Sequence, residues 1–205
     1  MRDDTMLLNR AERAVMTSRP WALLERRYAG PLLHRLGADL RDRDVLEIGC
    51  GSGGFTEALL DDFAARSVHA IDLDPRMVEL AGRRLASRPA ELVTVEPGDA
   101  LALPIDTGGI DAVVELGIFH HIPDWRAAVA EVARVLRPEG QFVFAEVTRH
   151  ALDRPSYRVL FDHPREDRFT GEDFTDVLAE HGLALARPLE LRFFGDFVFG
   201  VATRL

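Results

Sequence analysis

The stretch DVLEIGCGSGGFT, residues Asp44–Thr56, decides the fold of this chain. Its first half is an apolar run that ends in glycine, which is typical of a buried strand, and residues 53–66 then have helical spacing. A strand, a glycine-rich turn and a helix in this order predict the start of a parallel α/β sheet. A carboxylate, Glu47, lies two residues before the first glycine, where a phosphate-binding loop would not favour a negative charge.

Apolar runs and helical patterns alternate along most of the chain. Strands are predicted at residues 44–49, 67–72, 91–99, 110–116 and 141–147. Helices are predicted at residues 53–66, 75–88, 124–140 and about 171–181, the third of them capped by Asp124 and closed by Pro138 and Gly140. Gly195 and Asp196 separate two late apolar runs, so the chain should end in an antiparallel hairpin. The expected fold is α/β, a doubly wound, mostly parallel sheet covered by helices.

The composition restricts the classes of function. The chain has 205 residues, 47% of them hydrophobic, which is enough for one compact domain with a sizeable core. Its net charge of -9 argues against a nucleic-acid partner, because a phosphate backbone needs a basic face. All 25 basic residues are arginine, and the absence of lysine excludes a lysine Schiff base, a Walker-type phosphate loop and a Tyr–Lys proton relay.

Cysteine usage and apolar runs indicate the compartment. The single cysteine, Cys50, excludes an internal disulfide and a multi-cysteine metal site, and no metal site is predicted. The first residues lack the basic end and apolar run of a secretory signal, and no apolar run approaches the ~18 residues of a transmembrane helix. These patterns predict a cytoplasmic protein without a membrane partner, and they leave the oligomeric state open.

The glycine loop satisfies two binding patterns at once. Gly49, Gly51 and Gly54 fit G-x-G-x-x-G, and Gly49, Gly51 and Gly53 fit G-x-G-x-G. A dinucleotide would bring a dianionic pyrophosphate to this loop, and Glu47 would then weaken binding. A ligand with an ammonium, a sulfonium and a ribose makes Glu47 useful as a hydrogen-bond acceptor. Glu47 therefore favours S-adenosylmethionine over a dinucleotide, although a strand carboxylate that caps neighbouring amides is an alternative.

Two further acids follow the next two predicted strands. Asp72 lies at the carboxyl end of the second strand, where a carboxylate can accept both ribose hydroxyls, in S-adenosylmethionine or in NAD. Asp74 is better placed to cap the helix that opens at Pro75. Asp99 follows the third strand and could accept from an adenine amino group while the Ala100 amide donates to a ring nitrogen; a turn aspartate is the alternative.

Five segments in order extend these observations: VLEIGCGSG, AIDLDP, GDALALP, DAVVELGIFHHIPDW and EVARVLRPEGQF. Over about residues 40–147 they closely resemble the class I S-adenosylmethionine-dependent methyltransferases, best the small-molecule branch with a His-His pair after strand four. The resemblance implies a Rossmann-like, seven-stranded sheet whose last inserted strand is antiparallel. It also implies S-adenosylmethionine as the cofactor and a small-molecule acceptor.

The resemblance assigns roles by position. Glu47, Gly49, Gly51 and Gly53 would line the methionine part, Asp72 would bind the ribose, Asp99 and Ala100 would bind the adenine, and the backbone near Glu115 and Leu116 would flank the methionine end. Cys50, through its backbone, and Leu73, beside Asp72, complete the predicted cofactor site.

The candidate catalytic residues are His120 and His121, which follow strand four. Either can act as a general base if the acceptor must lose a proton, and a structural hydrogen-bonding role is the alternative. Tyr28 and Trp125 are candidates for the acceptor pocket, with packing as the alternative for each. His163 is interpreted as part of a turn around Pro164.

The expected organisation is a single methyltransferase domain over residues 1–205. Residues 1–36 should form a helical cap whose helices split near Ser18, residues 37–147 the cofactor-binding core, and residues 148–205 the acceptor side with the last helix and hairpin. The predicted function is methyl transfer to an O, N or C atom of a small molecule. The alternatives are an NAD-dependent oxidoreductase and a non-catalytic S-adenosylmethionine-binding protein.

Overall fold

The computed structural model describes residues 17–155 and 167–205. The first of the two predicted N-terminal helices and His163 lie outside these residues. The helices are α1 Arg19–Leu24, α2 Gly30–Leu36, α3 Gly54–Asp61, α4 Pro75–Leu85, α5 Trp125–Val135, α6 Arg149–Leu152 and α7 Gly171–Glu180. The strands are β1 Asp44–Ile48, β2 Ser67–Asp72, β3 Val93–Pro97, β4 Ile110–Leu116, β5 Leu136–Val147, β6 Leu183–Leu185, β7 Glu190–Arg192 and β8 Phe197–Arg204.

The described strands form one mixed sheet in the order β3-β2-β1-β4-β5-β8-β6, and β7 also pairs with β8. Strands β1 to β5 are parallel, whereas β8 is antiparallel to β5, β6 and β7. The predicted α/β class, the mostly parallel sheet and the C-terminal hairpin are confirmed. The described part of the sheet has eight strands in seven positions, because β6 and β7 pair with different halves of the same edge of β8.

Helices cover both faces of the sheet because side chains alternate along the central strands. On β4, Val113 belongs to the core under α5 and α7, while Ala112 and Val114 belong to the core under α2, α3 and α4. The first core is aromatic, with Trp125, Phe142, Phe144 and Phe174 all buried.

The predicted junction between the fifth helix and the fifth strand is wrong. Helix α5 begins after Asp124, whose side chain accepts from the Ala127 amide as predicted, but it ends at Val135. Pro138 and Gly140 lie inside β5, which starts at Leu136 rather than at residue 141. A residue that precedes proline is restricted to extended backbone, so Pro138 prevents the helix from continuing through Arg137. Leu136 instead pairs with Ile110, and the register shifts before the regular pairing starts.

An N-terminal cap lies against the sheet's carboxyl edge. Helix α1 begins at the expected break, where the Ser18 side chain accepts from the Trp21 amide and a proline occupies the first turn. A π-helical turn, Glu25–Ala29, joins α1 to α2. Among the described residues, none of the helices combines the length and the apolar character that a bilayer crossing requires.

Candidate active site

A cleft lies at the carboxyl edge of the sheet. Open α/β sheets commonly bind their ligands at this edge. The cleft collects many of the predicted site residues: Glu47, Gly49, Cys50, Gly51, Asp72, Leu73, Asp99, Ala100, Leu116 and His121. The cap contributes Trp21, Ala22 and Glu25, which were not among the predicted site residues.

Backbone hydrogen bonds fasten the glycine loop to β2. The amides of Gly49 and Cys50 both donate to the Ile71 carbonyl, at 2.8 and 3.0 Å. The Gly51 amide donates to Asp72 Oδ2 at 2.9 Å. Burial raises the pKa of the Cys50 thiol, and the nearby Glu47 and Asp72 raise it further, so the thiol stays protonated. Cys50 therefore serves the loop through its backbone.

Two glycines of the loop, Gly49 and Gly51, differ in the space that surrounds them. Gly49 has φ +71°, and a Cβ there would lie 2.2 Å from Ile118 Cδ1, so the loop and the segment after β4 approach closely. Gly51 has φ +54°, and a Cβ there would meet nothing within 4 Å. Gly51 thus has open space on the side where a side chain would project, and a ligand can lie against its backbone.

Glu47 is buried at the floor of the cleft. It is 4% exposed, and Thr56 of α3 donates its hydroxyl to Glu47 Oε2 at 2.5 Å. Burial raises the pKa of Glu47 to about 8; the Thr56 hydrogen bond opposes this shift, while Glu25 and Asp72 add to it. A cation at Glu47 would reverse the shift, because an opposite charge favours the ionised carboxylate.

Asp72 organises the turn at the end of β2. Its Oδ1 accepts from the Asp74 amide at 2.8 Å, in addition to the Gly51 amide on Oδ2. Burial raises the pKa of Asp72, and the two amides lower it. A carboxylate has about four lone-pair positions, so acceptance from ribose hydroxyls remains open to it. Asp74 caps α4, accepting from the Arg76 amide at 2.9 Å as predicted.

The segment after β3 forms another wall. Asp99 Oδ1 accepts from the Leu101 amide at 2.9 Å, and its carbonyl accepts from the Ala102 amide at 3.0 Å. Asp99 is exposed while Ala100 is 8% exposed, so the carboxylate faces solvent at the edge of the cleft and the Ala100 backbone lies beneath it. This turn leaves the second oxygen of Asp99 accessible to a ligand's amino group.

The two adjacent histidines point to different places. His121 lines the cleft beside Ile118 and Ile122, whereas His120 is directed to Glu146, with its Nδ1 2.8 Å from Glu146 Oε2. The two rings lie with centroids 4.2 Å apart. Of the predicted pair, His121 is therefore the side chain that can reach a molecule in the cleft.

Behind the histidines lies a buried pair of carboxyl groups, Glu115 and Glu146. They are 0% and 1% exposed, and Glu115 interacts directly with Glu146. Burial raises the pKa of Glu115 well above its usual value, and the neighbouring Glu146 raises it further. Burial also acts to raise the pKa of Glu146, but His120 and hydrogen-bond donors around it lower it overall. Glu115 therefore carries the proton and Glu146 the charge.

Several predicted site residues lie away from the cleft. Gly53 precedes α3 and packs close to Ala81. Trp125 is buried in the aromatic core, and its Nε1 donates to the Asp167 carbonyl at 2.9 Å. Tyr28 is 38% exposed and contacts Phe193. Within residues 17–155 and 167–205 there is no cluster of three or more His, Cys, Asp or Glu side chains fit for a metal ion.

The sequence contained signals for the residues that were missed. In QFVFAEV, Glu146 has the period-2 spacing of Phe142 and Phe144, which places it on the same inward face. Trp21 and Glu25 have the i, i+4 spacing of a helical pair. Both patterns identify a face of an element, but neither identifies which cavity that face meets.

The doubly wound sheet, the cleft at its carboxyl edge and the acids after three successive strands define a nucleoside-binding protein of the Rossmann-like class. Its buried Glu47 fits a ligand with a cationic end better than one with a pyrophosphate.

Residues 46–144 match the family model of the methyltransferase domain. The fatty-acid O-methyltransferase of Mycolicibacterium smegmatis is 35% identical over 141 residues, which are 67% of this chain and 50% of that protein. The phthiotriol/phenolphthiotriol dimycocerosates methyltransferase of Mycobacterium tuberculosis is 35% identical over 118 residues, 57% of this chain and 43% of that one. The chain thus spans about half the length of the curated relatives it matches.

A solved structure extends the likeness to the whole fold. It is a complex between the Haloferax volcanii Trm112 methyltransferase activator and a methyltransferase, with a TM-score of 0.76, 19% identity and coverage of 94% of this chain and 92% of the matched chain. The matched family model and the 35% identical relatives show that this chain belongs to the class I S-adenosylmethionine-dependent methyltransferases, whose methyl donor is S-adenosylmethionine.

Proposed function

We propose that the protein transfers a methyl group from S-adenosylmethionine to a small-molecule acceptor. One observation carries the proposal: a buried Glu47 and the acids Asp72 and Asp99 converge on one cleft around a glycine loop that is open at Gly51. In this proposal Glu47 accepts from the ammonium, Asp72 binds the ribose, and Asp99 with the Ala100 amide binds the adenine.

S-adenosylmethionine supplies an electrophilic methyl group on a sulfonium when it is bound. The chain's own contribution is alignment, since well-oriented reactants reach effective molarities of ~10⁵–10⁸ M. The close approach of Gly49 and Ile118 holds the segment after β4 against the glycine loop. His121 and the apolar side chains beside it then face the acceptor.

We further infer an apolar acceptor that is methylated on oxygen. Ile118, Ile122 and Trp21 give the cleft apolar walls, and His121 adds a proton acceptor among them. One of the two relatives named above is a fatty-acid O-methyltransferase, which supports the same class of acceptor.

Ligand selectivity tests the proposal first. S-adenosylhomocysteine at ~100 times its dissociation constant should raise the free energy of unfolding by about 2.7 kcal/mol. A thermal-shift panel with S-adenosylmethionine, S-adenosylhomocysteine, NAD and NADP measures this. Stabilisation by NAD without stabilisation by either sulfur ligand would favour the oxidoreductase alternative.

His121→Ala tests the role of the histidines. For a hydroxyl acceptor, loss of a general base should slow turnover by ~10²-fold or more and leave cofactor affinity nearly unchanged. For a carboxylate acceptor, which has no proton to lose, the loss should be small and independent of pH. Rates across pH on one identified acceptor measure this, with His120→Ala as the matched comparison. A hydroxyl acceptor turned over at full rate by His121→Ala would exclude His121 as the base.

A further inference from the structure

Glu25 is a carboxylate of the cap that reaches the cofactor cleft. It lies in the π-helical turn between α1 and α2, and its side chain lines the same cleft as Glu47 and Asp72. Trp21 Nε1 donates to Glu25 Oε1 at 2.7 Å, which fixes the direction of the carboxylate. No sequence motif of the core region extends to this residue.

The turn that carries Glu25 is held in place from two sides. The next residue, Arg26, makes a two-bond pair with Asp62 at the end of α3, at 2.5 and 2.6 Å. Ala22 packs over the start of α3 so closely that a Cβ at Gly54 would lie 2.8 Å from the Ala22 Cβ. Single π turns are frequent at functional sites, and here the turn directs Glu25 toward the glycine loop.

Charged groups from α4 and β1 interact with Glu25, and one from β2 interacts with its neighbour Glu47. Burial raises the pKa of Glu25 to about 7, while the Trp21 hydrogen bond and Arg84 of α4 lower it. Glu25 in turn contributes to the raised pKa of Glu47 on β1, and Asp72 on β2 contributes as well. Glu25 and Glu47, like Asp72, have raised pKa values in one cleft, which suits the cleft to a cation whose arrival would release protons.

Resting on the function proposed above, we propose that Glu25 is a second carboxylate for the ammonium of the cofactor's amino-acid end. The observations are its place in the cleft with Glu47, the Trp21 hydrogen bond that directs it, and the anchoring of its turn on α3. The cap then belongs to the cofactor site and orders the methionine end, while Asp72 and Asp99 serve the nucleoside end.

Glu25→Gln tests this with two ligands that differ in the amino-acid end. S-adenosylhomocysteine has the ammonium, and 5′-methylthioadenosine keeps the thioether nucleoside but lacks the amino acid. By calorimetry, Glu25→Gln should bind S-adenosylhomocysteine roughly 10-fold more weakly or worse, with 5′-methylthioadenosine affinity nearly unchanged. Glu57→Gln, which removes a carboxylate of α3 outside the cleft, is the matched control and should change neither.

Proton linkage gives an independent readout. At pH 7, titrations in buffers with different ionisation enthalpies should show proton release when S-adenosylhomocysteine binds, and less release in Glu25→Gln. Unchanged S-adenosylhomocysteine affinity, equal losses for both ligands, or proton uptake would overturn the role of Glu25. Wild-type protein that binds neither ligand would overturn the proposed function itself. Glutamine keeps an oxygen acceptor for Trp21, and thermal unfolding verifies that the variant is folded.

Discussion

Glu47→Gln is expected to stabilise the protein without ligand and at the same time to weaken its binding of S-adenosylhomocysteine. Burial raises the pKa of Glu47 from 4.5 to about 8, so the folded protein holds a proton that the unfolded chain has lost. Folding is therefore penalised as pH rises above 4.5, and the penalty reaches its full size above about 8. Glutamine cannot ionise, and its oxygen can still accept from Thr56.

The expected gain in the free energy of unfolding is up to about 3 kcal/mol at pH 7 and vanishes below about pH 5. The same substitution removes a charged partner of the ammonium, which should lower S-adenosylhomocysteine affinity by roughly 1.5–3 kcal/mol. Denaturant unfolding from pH 5 to 9 measures the first effect, and calorimetry measures the second. Glu91→Gln, at an exposed position before β3, should show neither effect.

A Glu47→Gln protein that is less stable than wild type at every pH would contradict this account. Glu47 would then serve the fold through its hydrogen bond to the Thr56 hydroxyl, a structural role other than the capping of neighbouring amides that the sequence left open. A gain in stability without a loss of affinity would show that the ammonium lies elsewhere.

The sheet was predictable because each strand that supports the cleft is a short apolar run bounded by turn residues. Strands β2 and β4 begin and end at the predicted residues. The end of α5 could have been predicted, because Pro138 restricts Arg137 to extended backbone. The pairing of Leu136 with Ile110 could not, because it passes through an irregular register that no local pattern indicates.

The cofactor side of the candidate site was more predictable than the acceptor side. Ligands bind at the carboxyl ends of parallel strands, and the order of the strands along the chain is enough to locate those ends. This rule predicts Glu47, Asp72 and Asp99. Glu25 and Glu146 depend on how the cap and β5 pack against that edge, which is tertiary information. Trp125 is the opposite case. It was a candidate for the acceptor pocket, but it packs among apolar side chains in the aromatic core.

Glu146→Ala is expected to destabilise the protein by about 3–5 kcal/mol. The Glu146 carboxylate accepts from the amides of Ile118, Phe119 and Val147 at 2.7, 2.6 and 2.9 Å, and it also pairs with His120. Alanine would leave the buried Phe119 and Val147 amides without this acceptor, and the Ile118 amide would keep only its longer hydrogen bond to Glu115 Oε2 at 3.2 Å. Glu115→Gln is the matched control at the neighbouring buried position, and it should change stability little because Glu115 is already neutral.

The effect of Glu146 should also depend on pH. Since the pKa of Glu146 is lowered on folding, its ionised form stabilises the protein above its usual pKa of 4.5, and this contribution is lost as pH falls further. The stability difference between wild type and Glu146→Gln should therefore shrink on acidification. Denaturant unfolding at pH 3.5 to 7 measures the difference for Glu146→Gln and Glu115→Gln in parallel.

Loss of Glu146 should also affect ligand binding in the cleft. The amides that donate to Glu146 belong to the segment that carries Ile118 and His121. Ile118 packs against Gly49, so a loosened segment removes support from the glycine loop. We therefore expect weaker S-adenosylhomocysteine binding by Glu146→Gln at a temperature where the variant is still folded. The opposite pattern, a stable Glu146→Gln and an unstable Glu115→Gln, would place the proton on Glu146 and make Glu115 the charged partner. The cleft would then be supported by Glu115 on β4 rather than by Glu146 on β5. In that case Glu115→Gln, and not Glu146→Gln, would weaken cofactor binding.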